Sequence, residues 1–209
     1  LVIERAEASG RSPARVHFAR MAVLLLFGLL HFYLIWWGDI LTLYAVTGMI
    51  AFLFRRAPAP LLLLMAVVLI AWDSAPRFVN APKWAQTYEA AHVPGAMAET
   101  REAWDNRRDF FEPDAETIAK DMATHRDVVA HASHTMTERR WDPVAGFKSM
   151  WLETLGMMFL GMAGLRSGYL TGGWSNRAYR RAAIILIGIG GAVFILLAAL
   201  TWRGGFRLS

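Results

Sequence analysis

The sequence predicts an all-α protein, a polytopic bundle of about five transmembrane helices with an extracytoplasmic helical insertion. Composition is the first observation behind this. Of 209 residues, 56% are hydrophobic and 19% charged, and the mean hydropathy is +0.32. A soluble domain of this size carries fewer apolar residues and spreads them amphipathically. Segregation of charge is the second. The stretch Asp73–Phe147 holds 13 of the 17 acidic residues and 9 of the 22 basic ones, so the remainder of the chain is strongly basic. The third is the density of the apolar runs on either side of that stretch, which is the mark of membrane-spanning helices.

The spans are expected in this order. Met21–Trp37 is the first and Ile40–Phe54 the second, separated by Gly38-Asp39. Ala57–Trp72 is the third, with Pro58 and Pro60 placed where a helix starts. Ser149–Leu165 is the fourth and Ala182–Trp202 the fifth. Only the fifth reaches the ~20 residues that a hydrocarbon core requires, so flanking residues, tilt or local thinning must complete the others. The chain accordingly divides into 1–72 (a cytoplasmic lead-in and three spans), 73–147 (the insertion) and 148–209 (two spans).

Arginines orient this arrangement. Five spans put Arg15, Arg20, Arg55, Arg56, Arg166, Arg177, Arg180 and Arg181 on one side. Short Arg-rich loops stay in the cytoplasm, so the acidic insertion faces outward. Lys148, Arg203 and Arg207 run against the pattern. Trp36, Trp37, Trp72, Trp151 and Trp202 fall at the outer ends, and Tyr169, Trp174 and Tyr179 in the inner connection. That is the distribution of interfacial aromatic belts. Gly156, Gly161 and Gly164 in the fourth span, and Gly188, Gly190 and Gly191 in the fifth, allow close helix approach.

Within the insertion, a helix is expected over about Ala96–Phe111. A second starts at Glu112-Pro113-Asp114. Ile118, Met122, His125, Val129, Ala132 and Met136 then form one apolar stripe at helical spacing. Such helices lie on a membrane or cap a bundle.

Several chemistries are excluded. The pI near 10.0 does not indicate nucleic acid, because the basic residues flank apolar runs, where lipid headgroups account for them. The chain has no Cys, hence no disulfide, thiolate metal site or thiol nucleophile. No phosphate loop, nucleophile elbow or dinucleotide fingerprint is present. The first residues, Leu1-Val2-Ile3, include no initiator Met, and the last follow an apolar run directly. Both features are expected of a piece of a longer polytopic protein.

Four residues are candidates for catalysis. His31 lies in the first span, and a neutral imidazole there can act as base, acid or acyl acceptor. Its alternative is a histidine bonded between helices. Asp39 is an acidic residue flanked by apolar runs, which marks a functional position; its alternative is a turn residue capping span two. Glu153 lies near the outer end of span four and can share a proton with the pair, or stand as an interfacial carboxylate. Tyr44 is one turn beyond Asp39 and can face the same cluster. Asp127, His131 and His134 share a helix face at spacings of four and three, the pattern of a zinc site, but without an HExxH motif a solvated face is the expectation, and no metal is assigned. His125 belongs to the apolar stripe and is expected to pack.

Arg20, Gly28-Leu29-Leu30-His31, Trp37-Gly38-Asp39-Ile40-Leu41, Tyr44-Ala45 and Gly48 together resemble the YeiB family of bacterial inner-membrane proteins. So do Leu160-Gly161-Met162-Ala163-Gly164-Leu165-Arg166-Ser167-Gly168-Tyr169-Leu170-Thr171-Gly172 and the opening Glu4–Arg11. The resemblance covers nearly the whole chain. It implies a bacterial inner-membrane location and a domain of unknown function. The family is distantly similar to membrane acyltransferases, which implies an acyl-CoA donor and an envelope glycan or lipid acceptor. Its N-terminal part, with an Asp-x-x-Arg-Gly motif, has no counterpart here.

Three function classes follow. The first is an acyltransferase-like enzyme with His31 as base or transient acceptor, oriented by Asp39. The second is a proton-coupled transporter or permease. The third is a non-enzymatic assembly protein that docks through 73–147. The lipid bilayer is the partner common to all three, and oligomeric state is left open.

Overall fold

A computed structural model describes residues 8–203, with backbone only at 77, 78, 81, 82, 84, 85, 110, 111 and 201. Glu4–Glu7 of the opening motif and Arg207 lie outside the described residues. The described residues form helices and connections without strands. In order, the helices are α1 (Pro13–Leu34), α2 (Leu41–Leu53), α3 (Ala59–Ala91), α4 (Ala98–Phe111), α5 (Ala115–Thr124), α6 (Val128–Glu138), α7 (Asp142–Arg166) and α8 (Asn176–Arg203). This is a helical membrane bundle, as the composition predicts.

Three helices are long and apolar enough to cross a membrane: Pro13–Leu34, Ala59–Pro76 and Asn176–Leu200. The second expected span is a shorter apolar helix of 13 residues, α2. The fourth lies inside the 25 residues of α7, which is not one of the three. Of the five expected spans, three therefore stand as full-length candidates. Apolar side chains face outward along them: Phe27 is 60% exposed, Leu64 60% and Phe194 73%. In water this would be untenable, whereas against lipid it is required.

Most helices outrun the apolar runs that predict them, but α1 stops at Leu34, short of Trp37, and α2 is one residue shorter at each end than Ile40–Phe54. α1 begins eight residues early because the Ser12 hydroxyl accepts from Arg15 N–H and Pro13 occupies the first turn, a strong helix start. α3 continues past Trp72 and Pro76 to Ala91.

The described residues form two compact units, one of the chain up to Ser74 with Ala119–Arg166, the other of Ala75–Ile118 with the chain from Ser167. In the first, Ala51, Leu62, Ala66, Leu155, Phe159 and Ala163 form a core between α2, α3 and α7. Gly156 is what lets α7 approach α3: a Cβ there would lie 2.8 Å from Ile70 and 3.2 Å from the Ala66 carbonyl oxygen. Gly161, by contrast, faces open space, so close approach is not its role here. The same holds for Gly188, Gly190 and Gly191 of α8. In the second unit Trp104 of α4 is buried edge-on against Tyr88 of α3, with ring centroids 4.9 Å apart. Tyr169 and Trp174, from the connection before α8, pack together with Tyr179 of its first turn. The tight turn beneath them needs Gly168 and Gly172, which take φ of +80° and +78°.

The predicted stripe from Ile118 to Met136 is corrected in one respect. It is broken, because α5 ends at Thr124 and α6 starts at Val128, where the Asp127 carboxylate accepts from Val129 N–H. An Asp that caps a new helix interrupts the old one. The stripe residues Met122, Val129 and Met136 are exposed, and the buried face of α6 is His131 and Thr135 instead. His131 was expected on a solvated face; it is 3% exposed. Asp127 serves as a cap, and among the described residues no group of three metal-ligating side chains converges.

Candidate functional site

The turn between α1 and α2 brings His31 and Asp39 together. His31 Nδ1 and Asp39 Oδ1 are 3.0 Å apart. The imidazole is 32% exposed and the carboxylate 1%. Asp39 Oδ2 also accepts from Thr42 N–H at 2.9 Å, so one carboxylate caps α2 and orients the histidine. The capping reading of Asp39 therefore holds, and the same carboxylate also touches His31. Ile40, at the start of α2, has no side-chain acceptor of its own, which is why the cap falls to Asp39.

Glycine makes the pairing possible. A Cβ on Gly28 would stand 2.5 Å from Thr42 N, 2.6 Å from Thr42 Oγ1 and 3.1 Å from Asp39 Oδ2. The start of α2 therefore rests directly on the bare backbone of α1, one turn before His31. Trp36 packs edge-on to His31, with centroids 6.2 Å apart, and its indole occupies the space that a Cβ on Gly38 would fill. The Gly28-x-x-His31 and Trp37-Gly38-Asp39 motifs are two sides of one contact.

Beside the pair is a cavity of about 470 Å3. Asp39, Thr42, Phe32 and Trp37 line it from the hairpin, and Asp142, Phe147 and Met150 from α7. His31 is not among its lining residues. The Thr42 hydroxyl is buried and has no hydrogen-bond partner among the described residues. A buried hydroxyl without a partner is costly unless something else bonds it.

The connection from α6 to α7 closes over the hairpin tip. Arg139 lies over the Trp37 ring at 4.5 Å, and the Tyr33 hydroxyl donates to the Arg140 carbonyl at 2.9 Å. α6 packs on α1, and His131 and Thr135 are its buried residues. Burial holds the His131 imidazole below the ordinary histidine value; His125, His134 and Arg139 act in the same direction and Asp121 opposes them.

Neither of the other two candidates bonds His31 or Asp39. Tyr44 is 42% exposed, and its hydroxyl bonds no described residue. Glu153 is half-buried on α7 and does not line the cavity. Sequence reasoning missed Gly28 and Thr42 as parts of the site, and also Asp142. Gly28 is legible only through its spacing from His31, and Asp142 reads as an ordinary helix-start acid.

This chain is similar to the uncharacterized protein YxaH of Bacillus subtilis, at 38% identity over 107 residues, which cover 46% of this chain and 27% of that protein. It is also similar to the uncharacterized protein YeiB of Escherichia coli, at 29% identity over 190 residues, or 88% of this chain and 44% of that protein. These similarities support a YeiB-like family. The chain spans less than half the length of these curated relatives. No family model matches it. No solved structure matches it.

Proposed function

We propose that the protein is an acyltransferase-like enzyme of the bacterial inner membrane, with His31 as its base and Asp39 as the residue that orients it. The observation that supports this is the 3.0 Å contact between His31 and a carboxylate that is almost fully buried. With Nδ1–H donating to Asp39, the neutral imidazole presents the Nε2 lone pair. Nε2 takes the proton of an acceptor hydroxyl. The hydroxyl oxygen attacks the carbonyl carbon of an acyl thioester, the C–S bond breaks, and the proton on Nε2 passes to the leaving thiolate. Acyl-CoA is the donor in this reading, and a hydroxyl of an envelope glycan or lipid the acceptor.

On this reading Arg55 and Arg56 lie at the cytoplasmic end and residues 73–147 outside. α2 has 13 residues, so it rises only about 20 Å from the arginines at 1.5 Å per residue. A hydrocarbon core is ~30 Å thick. The pair therefore sits below the outer surface, under the α6–α7 connection, where water is scarce and a competing hydrolysis is suppressed.

The test is transfer of label from acyl-CoA to envelope fractions, using membranes that hold the full-length protein. His31→Ala and Asp39→Asn are each expected to lower transfer by 10²-fold or more, on the order of a lost general base. Wild-type membranes that transfer no more label than empty ones would sink the acyl-CoA reading. Substrate uptake that depends on Asp39 and on a proton gradient would instead assign a transporter, which the cavity beside Asp39 also suits.

A further inference from the structure

At the opposite end of the hairpin from Asp39, we infer a binding site for a phosphate group, built on Arg55 and Arg166. The Arg166 guanidinium donates to the carbonyl oxygens of both Arg55 and Arg56. The Arg55 guanidinium lies 4.2 Å from the Phe52 ring centroid and donates to the Phe52 carbonyl at 3.5 Å. Phe52 also packs against α1, edge-on to Phe18 at 5.3 Å and stacked at 4.8 Å on His17, whose Nε2 is 3.0 Å from the Gly48 carbonyl oxygen. The start of α1, the end of α2 and the end of α7 thus meet at one place, and each brings a cationic or ionisable nitrogen.

Among the described residues the charge there is unbalanced. Residues 8–38, 40–72 and 154–203 contain no Asp or Glu. None of Arg15, Arg20, Arg55, Arg56 and Arg166 pairs with a carboxylate among the described residues. The exposed carbonyls at the end of α2 account for part of the guanidinium hydrogen bonding and for none of the excess charge.

The residue type and its fixation point to phosphate. Retention of charge on one membrane side is served equally by Lys and Arg. Every cationic residue at this end is Arg: Arg11, Arg15, Arg20, Arg55, Arg56 and Arg166. The planar fork of Arg meets two phosphate oxygens at once, which an ammonium does not. Arg55 and Arg166 are already held by carbonyls and a ring, so little side-chain freedom remains to be lost on binding. Among the described residues nothing takes their remaining N–H groups, and Arg56, whose side chain bonds no described residue, is exposed beside them. The ligand chemistry is a phosphate mono- or diester. Its source is an anionic lipid headgroup or a soluble phosphate-bearing molecule, and the inference does not depend on the acyl-transfer reading.

The experiment uses the full-length protein, delipidated in neutral detergent. Native mass spectrometry measures retention of phosphatidylglycerol against phosphatidylcholine of equal chain length, and coenzyme A is titrated separately. The variants are Arg55→Lys, Arg166→Lys and Arg56→Gln. Arg56→Gln leaves the carbonyl bonds of Arg55 and Arg166 in place, so it reports even where a Lys variant misfolds. Wild type is expected to hold one phosphate probe at least tenfold more tightly than phosphatidylcholine, with each variant losing several-fold. Phosphatidylglycerol binding without coenzyme A assigns a headgroup site, and coenzyme A binding without phosphatidylglycerol assigns a soluble ligand. Equal retention of the two lipids with no coenzyme A bound overturns the inference. Binding that is unchanged in all folded variants overturns it as well, and leaves charge retention as the sole role of these arginines.

Discussion

Replacing Gly28 by Ala tests the joint between α1 and α2 more directly than replacing the pair itself. The new Cβ would stand 2.5 Å from the Thr42 backbone nitrogen. Ordinary contact begins near 3.4 Å, so the start of α2 must retreat by about 1 Å or α1 must bend. His31 and Asp39 are 3.0 Å apart. A retreat of that size takes them to about 4 Å, beyond hydrogen-bond reach. Overpacking costs about 1–3 kcal/mol, and loss of a hydrogen bond to a charged group about 1.5–3 kcal/mol. The better helix propensity of Ala returns about 1 kcal/mol. The net expectation is a destabilisation of about 1.5–5 kcal/mol, from the same principles with the gain subtracted. Gly161→Ala is the internal control, since its Cβ meets open space; it should be neutral or stabilise by up to about 1 kcal/mol. Thermal unfolding in detergent reads the stability, and nitrogen-15 NMR of the imidazole reads the tautomer that Asp39 enforces. Gly28→Ala as stable as Gly161→Ala, with the His31 tautomer unchanged, would refute the close approach and with it the geometry of the pair.

Two further outcomes are expected. Because burial depresses the His131 pKa, the folded state resists its protonation. That stability is full above the ordinary histidine value of 6.5 and is lost as pH falls below it. Hydrogen exchange of α6 should accelerate on acidification through that range, and His131→Phe should flatten the response; an equal acceleration in the variant would disprove the assignment. Asp127→Ala removes the α6 cap and should cost about 0.5–2 kcal/mol, read as faster amide exchange confined to Val128–Glu138; unchanged exchange there would show that packing of α6 on α1 starts the helix unaided.

Much of the architecture was legible along the chain, because membrane helices announce themselves by composition alone. Dense apolar runs with arginines at their ends yield α1, α2, α3, α7 and α8 in order. A lipid-facing helix such as α8 needs no partner to specify it, since bilayer and backbone bonding suffice. His31 and Asp39 were legible too, as ionisable residues where ionisable residues are expensive. The interruption at Asp127 was not, because a carboxylate at that position reads equally as a surface residue and as a cap. Nor was the burial of His131: the apolar stripe of α5 and α6 pointed to another face, and packing on α1 decided which one turned inward.

Sequence by itself determined that the chain is helical and belongs in a membrane, because both follow from the solvation of each segment taken alone. It also placed an imidazole and a carboxylate eight residues apart across a Gly-bearing turn. Only the tertiary structure decided that they touch, since their distance depends on how closely α2 can settle on α1. That closeness rests on the missing Cβ of Gly28, on Asp39 capping the helix it begins, and on the cover of Arg139 and Arg140 over the tip. These are contacts between segments, and no segment's composition contains them.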